Sequence, residues 1–515
     1  MPGGGLFALV SFGGQNVLLN GNPEMTYWYK TFRRYTHFAE ESYTIACDGP
    51  DQLLYDQDIQ VRAKIKRVGD LVRDMYFVFS LPDIYSKYMD PAIRDAQYNF
   101  AWANYIGCRM IRNVALIIGG QKIQEFSGKY IATKALMDLD TDALAKWKLL
   151  VGETNELTNP ALGIYGGGSE SVGYPTVYRD DTATVQTNRP SIFGQDIYVP
   201  LPFWCCENPS LALPLVALQY HEVEIQLTLR PISDLYTILD PSGNRVRPGY
   251  YMNAVDSATA YQTNNPTYGT IDTSEGLINN FLVDIGFTAP PLNTWNFQPR
   301  FMATYVWLTD EERKVFADTP LNYLVYQVQI YKAPPFSNRQ LFDLNAHNPA
   351  TRLLIAAERS DTWYRNEGMN FTNWWLKSPP YNATPNVPPW VNYIYATGRT
   401  IPQGQRNIIN TLRIVGDGNE LQEEKPAAYF ENITPWKYAK GLPSPGLLLY
   451  PFSLHSPTAQ PAGSINCSRI RLFELDVNPW PLPADTNYVY DLTVFIETIN
   501  WFTVSGGMGG LKYAL

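Results

Sequence analysis

Four histidines, five cysteines and a few paired carboxylates are the side chains from which this 515-residue chain could build a catalytic or metal centre. His37, His221, His347 and His455 lie far apart, and none stands in an HxH, HExxH or HxE arrangement, so the spacing that brings ligands onto one face is missing. His221 heads an alternating apolar run and reads as a structural histidine. Cys47, Cys108, Cys205, Cys206 and Cys467 are odd in number and lack a CxxC spacing, which points to neither a disulfide framework nor a zinc site. They are expected to be reduced, mostly buried thiols of a protein made in the cytosol. There is no GxSxG elbow, and the Cys205-Cys206 pair lacks a local nucleophile signature, so packing is its expected role. Glu311-Glu312 and Glu423-Glu424 read as solvated faces rather than a glycosidase dyad, whose defining carboxylate separation no spacing in sequence supplies. The glycine-rich pieces "GDGNEL" at Gly416 and "GGMGGL" at Gly506 lack the third glycine or the Lys-Ser/Thr of a phosphate loop and read as tight turns needing positive φ. Asn-x-Ser/Thr sequons at Asn370, Asn382, Asn432 and Asn466 read as chance matches, because no secretory signal precedes them. No catalysis, cofactor or metal is expected.

One stretch does concentrate interaction chemistry. "YWYKTFRRYTHFAEES", from Tyr27 to Ser42, carries Tyr27, Trp28, Tyr29, Lys30, Arg33, Arg34, Tyr35 and Phe38 in close succession. Rings interleaved with cations can stack bases and bind phosphates, or they can hold subunits together, since Tyr, Trp and Arg are enriched at interfaces. The chain's formal net charge is -9, and within the stretch three basic residues face Glu40 and Glu41, a surplus of one positive charge. A nucleic-acid binder normally shows a basic field, so adhesion between subunits is the expected role, with the two acids neutralising part of the charge.

The elements that would carry these residues are mostly strands. Ile59, Val61, Ala63 and Ile65 alternate with Gln60, Arg62, Lys64 and Lys66; Val223, Ile225, Leu227 and Leu229 alternate with Glu222, Glu224, Gln226 and Thr228. This period of two predicts half-buried antiparallel strands. With 39 Pro and 36 Gly cutting the chain into short pieces, sandwiches and jelly rolls are expected rather than helix-covered parallel sheets. Helix is predicted at "TDALAKWKLL" from Thr141, with Leu144, Trp147 and Val151 on one face, and at "TDEERKVFA" from Thr309, where Thr309 and Glu312 have the spacing of a capping box and Val315 and Phe316 anchor the turn. Polar segments at Gly152–Arg189, Pro241–Asn296 and Trp374–Arg406 read as long loops elaborating the scaffold. Terminal strand pairs resembling each other in the two halves suggest a duplicated sandwich. The expected division is an N-terminal arm at 1–26, a first jelly roll at 27–232, a connection with its insertion at 233–297 and a second jelly roll at 298–515. No apolar run reaches the ~18 to 20 residues of a membrane span, and the apolar start has no basic residue before Lys30, a poor secretory signal.

The run "LVSFGGQNVLLNGNPEMTYWYKTFRRYTHFAEES" resembles the opening of the major capsid proteins of nucleocytoplasmic large DNA viruses, with Gly21, Asn22 and Pro23 at its turn and Arg33, Arg34, Tyr35, Thr36, Phe38 and Ala39 in its aromatic-basic element. "LPLVALQYHEVEI" from Leu213, "WLTDEERKVFA" from Trp307, "QPAGSINCSRI" from Gln460 and the C-terminal "GGMGGLKYAL" are similar to later signatures of that family; "GDGNELQEEKPAAYF" departs from it. The resemblance spans the chain. It implies an all-β fold of two consecutive antiparallel jelly rolls with short helices and long loops, and a structural protein without enzymatic activity. It also implies a homotrimeric, pseudo-hexagonal capsomer that tiles an icosahedral shell beside neighbouring capsomers, minor capsid proteins and penton proteins. The implied location is the outer shell of the virion, near an inner membrane that it does not span and without direct nucleic-acid contact, after synthesis and assembly in the host cytoplasm. The alternative from a different class is a double-jelly-roll carbohydrate-active enzyme or glycan-binding protein using Trp374, Trp375 and Trp390 as sugar platforms.

Overall fold

Alternation in the sequence becomes alternation in burial. In Ile59–Ile65 every odd-numbered side chain is buried and every even one exposed. Val223–Leu229 repeats the period, and the two strands pair antiparallel with Val223 opposite Ile65 and Leu229 opposite Ile59, so both apolar sets share one face. The computed structural model describes residues 3–30, 32–86, 88–90, 93–164, 173–175, 189–240, 245–252, 267–270, 276–284, 287–373, 406–456, 460–482 and 488–513. Much of the three long polar segments, together with Asn382, Trp374, Trp375 and Trp390, lies outside the described residues.

The principal strands of the first half are β1 (Phe38–Ala46), β2 (Ile59–Ile65), β3 (Leu71–Ser80), β4 (Ile111–Ile118), β5 (Gln121–Phe126), β6 (Asp196–Pro200), β7 (Val223–Leu229) and β8 (Arg300–Leu308). Those of the second half are β9 (Leu321–Lys332), β10 (Gln340–Asp343), β11 (Pro349–Arg359), β12 (Ile409–Gly416), β13 (Asn419–Pro426), β14 (Leu447–Pro451), β15 (Phe473–Pro479) and β16 (Tyr490–Ser505). Hydrogen-bonded neighbours run β1-β8-β3-β6 and β2-β7-β4-β5 in the first half, and β9-β16-β11-β14 and β10-β15-β12-β13 in the second. Adding eight to each strand number turns the first order into the second, and a chain that passes back and forth between two such sheets is a jelly roll.

The expected division placed Arg300–Leu308 in the second roll. It instead bonds β3 antiparallel, with Phe301 opposite Phe77 and Val306 opposite Leu71. It supplies the eighth strand that the first roll's order requires, so the long segment before it connects β7 to β8 within one roll.

In each roll the connections from an odd strand to the next even strand gather at one end. In the first roll, Trp295–Asn296 pairs with Gln52–Leu53, Tyr236 pairs with Trp102, and Ile84 bridges to Ile192, which ties together the β1–β2, β3–β4, β5–β6 and β7–β8 connections. The same ends of the two rolls meet: the Arg247 N–H donates to Tyr364 O at 2.7 Å, and Asn366 Nδ2 donates to Ser233 O at 2.8 Å and Tyr236 O at 2.7 Å.

Two apolar cores result. One lies inside the second roll, around Leu353, Ile355, Leu412, Leu475 and Val494. The other fills the first roll and continues onto the far face of β9-β16-β11-β14 through Val325, Leu354, Ala356, Leu447, Phe495 and Phe502. β11 is therefore covered on both faces, and its sequence "ATRLLIAA" is a nearly continuous apolar run instead of an alternating one.

Helices are few. α1 (Gly4–Val10) and α2 (Gly14–Asn20) belong to the N-terminal unit, Met1–Ala39, and bury no residue. α3 (Gly128–Asp138) and α4 (Thr141–Leu150) sit between β5 and β6; Leu144, Trp147 and Val151 are buried as expected, and Asp140 caps α4 by accepting from the Ala143 N–H at 2.8 Å. α5 (Asp310–Asp318) links the rolls. The expected capping box is not made there, because Thr309 forms no side-chain cap. Asp70 does the anchoring instead, accepting from the Leu308 N–H at 2.9 Å and from Arg313 at 2.9 and 3.1 Å. Phe316 packs against Leu71, Ala212 and Val306, while Val315 is exposed.

Candidate functional site

The side chains with chemical potential are dispersed and occupied. His221 Nδ1 accepts from the Gly509 N–H at 3.1 Å, tying the start of β7 to the C-terminal strand. The five thiols are unpaired; Cys108, Cys205 and Cys467 are buried, and burial pushes Cys467 up to about 11 and Cys47 up to about 12, far from a reactive thiolate. Among the described residues no three His, Cys, Asp or Glu side chains are grouped to hold a metal ion. Glu424 lies on β13 and accepts from Arg339 at 3.0 Å, a guanidinium it shares with Asp476, and Glu423 pairs with Lys425, so the two carboxylates are engaged by different cations. Asp417 and Gly418, at φ 49° and 78°, turn the chain between β12 and β13, and Gly506 and Gly507, at 59° and 82°, turn it after β16. Both are hairpin turns whose two central residues need positive φ. Asn370 is buried and bonds Glu367 at 3.1 Å, which leaves that sequon without access.

The N-terminal unit has the opposite character. Tyr27, Trp28 and Tyr35 are 99%, 89% and 86% exposed, and Tyr29, Phe32 and Phe38 are exposed with them. Leu6, Phe7, Leu9, Val10, Leu18 and Leu19 on α1 and α2 are exposed as well. Local bonds shape the unit: Thr26 Oγ1 accepts from the Tyr29 N–H at 3.0 Å, and Lys30 Nζ stands 5.7 Å from the Phe32 ring centre. Residues so apolar and so uncovered form a patch of the kind that marks interaction surfaces. Glu40, expected to neutralise the neighbouring arginines, pairs with Arg73 of β3 at 3.1 Å.

A charged cluster that sequence reasoning missed joins the two rolls. Arg352 of β11 donates to Glu497 of β16 at 2.8 Å from both Nε and Nη2, and to Asp138 at the end of α3 at 2.6 and 2.7 Å. Tyr130 Oη donates to Glu497 at 2.8 Å, while Lys134 bridges Asp138 at 3.1 Å and Glu207 at 3.0 Å. Burial alone would raise the Asp138 carboxyl's proton affinity; Arg352 and Lys134 outweigh it and hold the group well below the usual carboxylate range. Glu207 goes the other way, raised by burial. Beside the cluster, Gln124 Nε2 donates to Tyr326 O and Gln327 Nε2 to Ile123 O, both at 2.7 Å, a reciprocal amide lock between β5 and β9. The only signal in the sequence was an Arg and a Glu inside otherwise apolar strands. The bonds from Arg352 to Asp138 and from Tyr130 to Glu497 hold one roll to the other, while those of Arg352 to Glu497 and of Lys134 to Asp138 and Glu207 fix the cluster within each roll.

Two family models match the chain in tandem, "Major capsid protein N-terminus" over residues 26–269 and "Large eukaryotic DNA virus major capsid protein" over residues 312–510. The major capsid protein of Phaeocystis pouchetii virus is 25% identical over 99% of both chains. Those of Pyramimonas orientalis virus and Paramecium bursaria Chlorella virus 1 are 26% and 25% identical, each over 99% of this chain and 100% and 99% of their own length. Among solved structures, a quasi-atomic model of the PBCV-1 virus capsid superposes with a TM-score of 0.62 at 21% identity, covering 95% of this chain and all of that one. The Faustovirus major capsid protein gives 0.60 at 15% identity over 97% and 96%. Likeness at these identities bears on the fold, and agrees with two consecutive jelly rolls.

Proposed function

The chain belongs to the major capsid protein family of large eukaryotic DNA viruses, and from that premise we propose that it is the principal building block of such a virus's shell. The observation that carries this reading is the pair of capsid family models, one on each half, together with capsid relatives matching over 99% of the chain. It is a virion component and a structural protein, not an enzyme. The carbohydrate reading has no support in these relationships.

We further infer that three chains close into a capsomer. Each chain offers two rolls with the same strand order, so three copies present six similar sandwiches around a ring, held by heterologous contacts that close. Tyr27, Trp28, Tyr29, Lys30, Arg33, Arg34, Tyr35 and Phe38 are the proposed adhesive, on the strength of their exposure and of how often desolvated aromatics and arginines dominate interfaces. The division between rolls is taken to follow Leu308, with the arm reaching to the start of β1. Neighbouring capsomers, minor capsid proteins and penton proteins are the expected partners, with a membrane near the inner side and no contact with the genome; among the described residues no helix is long and apolar enough to cross a membrane. Synthesis and assembly in the host cytoplasm complete the proposal.

Light scattering on the purified full chain tests the central claim. A uniform trimer is expected; a stable monomer at micromolar concentration would overturn it.

A further inference from the structure

Where the long connections of the two rolls meet, the chain encloses a cavity of about 310 Å³. The first roll contributes Arg109, Arg112, Lys129 and Arg230 to its wall, and the acids facing them are Asp234, Glu358 and Asp491. The charges do not match one to one. Lys129 is satisfied by Glu358. Asp234 is divided: its carboxylate takes Arg247 at 2.6 Å, with Arg230 at 3.6 Å and Arg112 at 3.8 Å as distant sharers, and Arg112 turns to Asp58 at 2.8 Å. Arg230 is left with a buried Nε that no acceptor reaches among the described residues. The Arg109 guanidinium has one hydrogen bond among the described residues, from Nε to the Asp234 backbone oxygen at 3.2 Å, and no carboxylate within ion-pair range.

Two guanidiniums thus face a cavity with most of their donors unspent. A buried cation is costly unless paired, and one whose fork still points into open space is a binding geometry for a planar or tetrahedral oxyanion. Gly368 contributes from the second roll: a Cβ at that position would collide with Arg109 Nη1, so the missing side chain is what lets the guanidinium occupy the wall. Burial lowers the proton affinity of Arg109, outweighing the opposing pull of Asp234 and Glu358.

We propose that this cavity binds a phosphate-class oxyanion, held by Arg109 and Arg230 with Arg112 at its edge. The bound anion supplies the negative charge the wall lacks and pins the arginines of the first roll against the Gly368 loop of the second. It therefore stabilises the junction from which the long connections emerge.

The test is calorimetric titration and thermal melting of the full chain with orthophosphate and, separately, tripolyphosphate, each against sodium chloride of matched ionic strength. Saturable binding of one anion per chain is expected, with a rise in melting temperature that chloride does not reproduce, because a ligand of the folded state stabilises it by mass action. Binding of orthophosphate supports the site and assigns free phosphate; binding of tripolyphosphate alone supports it and assigns an oligophosphate. Arg109→Gln, Arg230→Gln and Gly368→Ala should each weaken binding about tenfold or more. Should a buried substitution compromise folding, Arg112→Gln, whose side chain is 44% exposed, carries the test and should weaken binding to a smaller degree. Anion effects equal to those of chloride, or variants that keep the parent affinity, overturn the proposal.

Discussion

Arg352 and Glu497 stand directly opposite each other in the β11–β16 ladder and share two 2.8 Å hydrogen bonds, with side chains 2% and 1% exposed. An ion pair this deep gains little over a well-packed apolar pair, yet breaking it is severe, since the survivor stays buried and charged. Arg352→Leu, which leaves Glu497 buried with only the Tyr130 hydroxyl and Asp138 with only Lys134, should cost about 3–5 kcal/mol. Arg352→Leu combined with Glu497→Leu and Asp138→Asn should recover much of that loss. Urea midpoints of the parent and both variants check this; a single substitution costing under about 1 kcal/mol would show that the pair is solvated.

Acid should find a second weak point. Asp361 is buried, which by itself favours the neutral acid, but Arg359 at 2.7 Å and Arg365 at 2.9 Å outweigh burial and hold it at about 2, below its ordinary 3.8. Its folded value is depressed, so its contribution is complete above the unfolded value and is lost as pH falls through about 2. That contribution is roughly 2 kcal/mol. Asp361→Asn should lower the urea midpoint near pH 5, and the gap to the parent should narrow below about pH 3. A gap independent of pH over that window would contradict the assignment.

Removing Met1–Lys30, or replacing Arg33 and Arg34 by Ala, should leave the melting temperature of the rolls nearly unchanged, because the unit buries nothing on α1 or α2. Particle yield should fall, with each truncated interface arginine costing ~2 kcal/mol or more where it is desolvated. Normal yield from both variants would remove the adhesive role.

Unfolding of the rolls should be coupled. Since one core runs from the first roll onto the outer face of β9-β16-β11-β14, calorimetry on the full chain should give one transition for both. A fragment beginning at Leu321 would expose Val325, Leu354, Phe495 and Phe502 and should aggregate. Two well-separated transitions, or a soluble monomeric fragment, would count against the shared core.

The sequence disclosed elements whose logic is local. Period-two alternation found β2 and β7, helical spacing found α4, and the aromatic-basic run marked a segment that is exposed in the fold. What it concealed depends on distant partners. α3 escaped notice because residues such as Tyr130, Ile131, Ala132, Leu136 and Met137 are buried together, leaving little polar face to betray a helix. β8 looks like any strand; only its pairing with β3, more than two hundred positions earlier, says which roll it completes. Arg352 reads locally as a solvent-facing residue, and its carboxylates come from sequence separations of 145 and 214.

The gathering of odd-to-even connections at one end of each roll has a bearing on how the protein can change. Opposite that end two of the turns are tight: Gly119–Gly120 between β4 and β5, and Asp417–Gly418 between β12 and β13, permit no added residue without shifting a ladder. At the gathered end, lengthening a connection costs only about 0.6 kcal/mol per doubling, and the strands beneath keep their register. The molecule therefore separates hairpin ends held by their ladders from connections whose length is free to drift, and foreign peptides grafted into the β7–β8 or β11–β12 connection should be accommodated without renegotiating the sheets below.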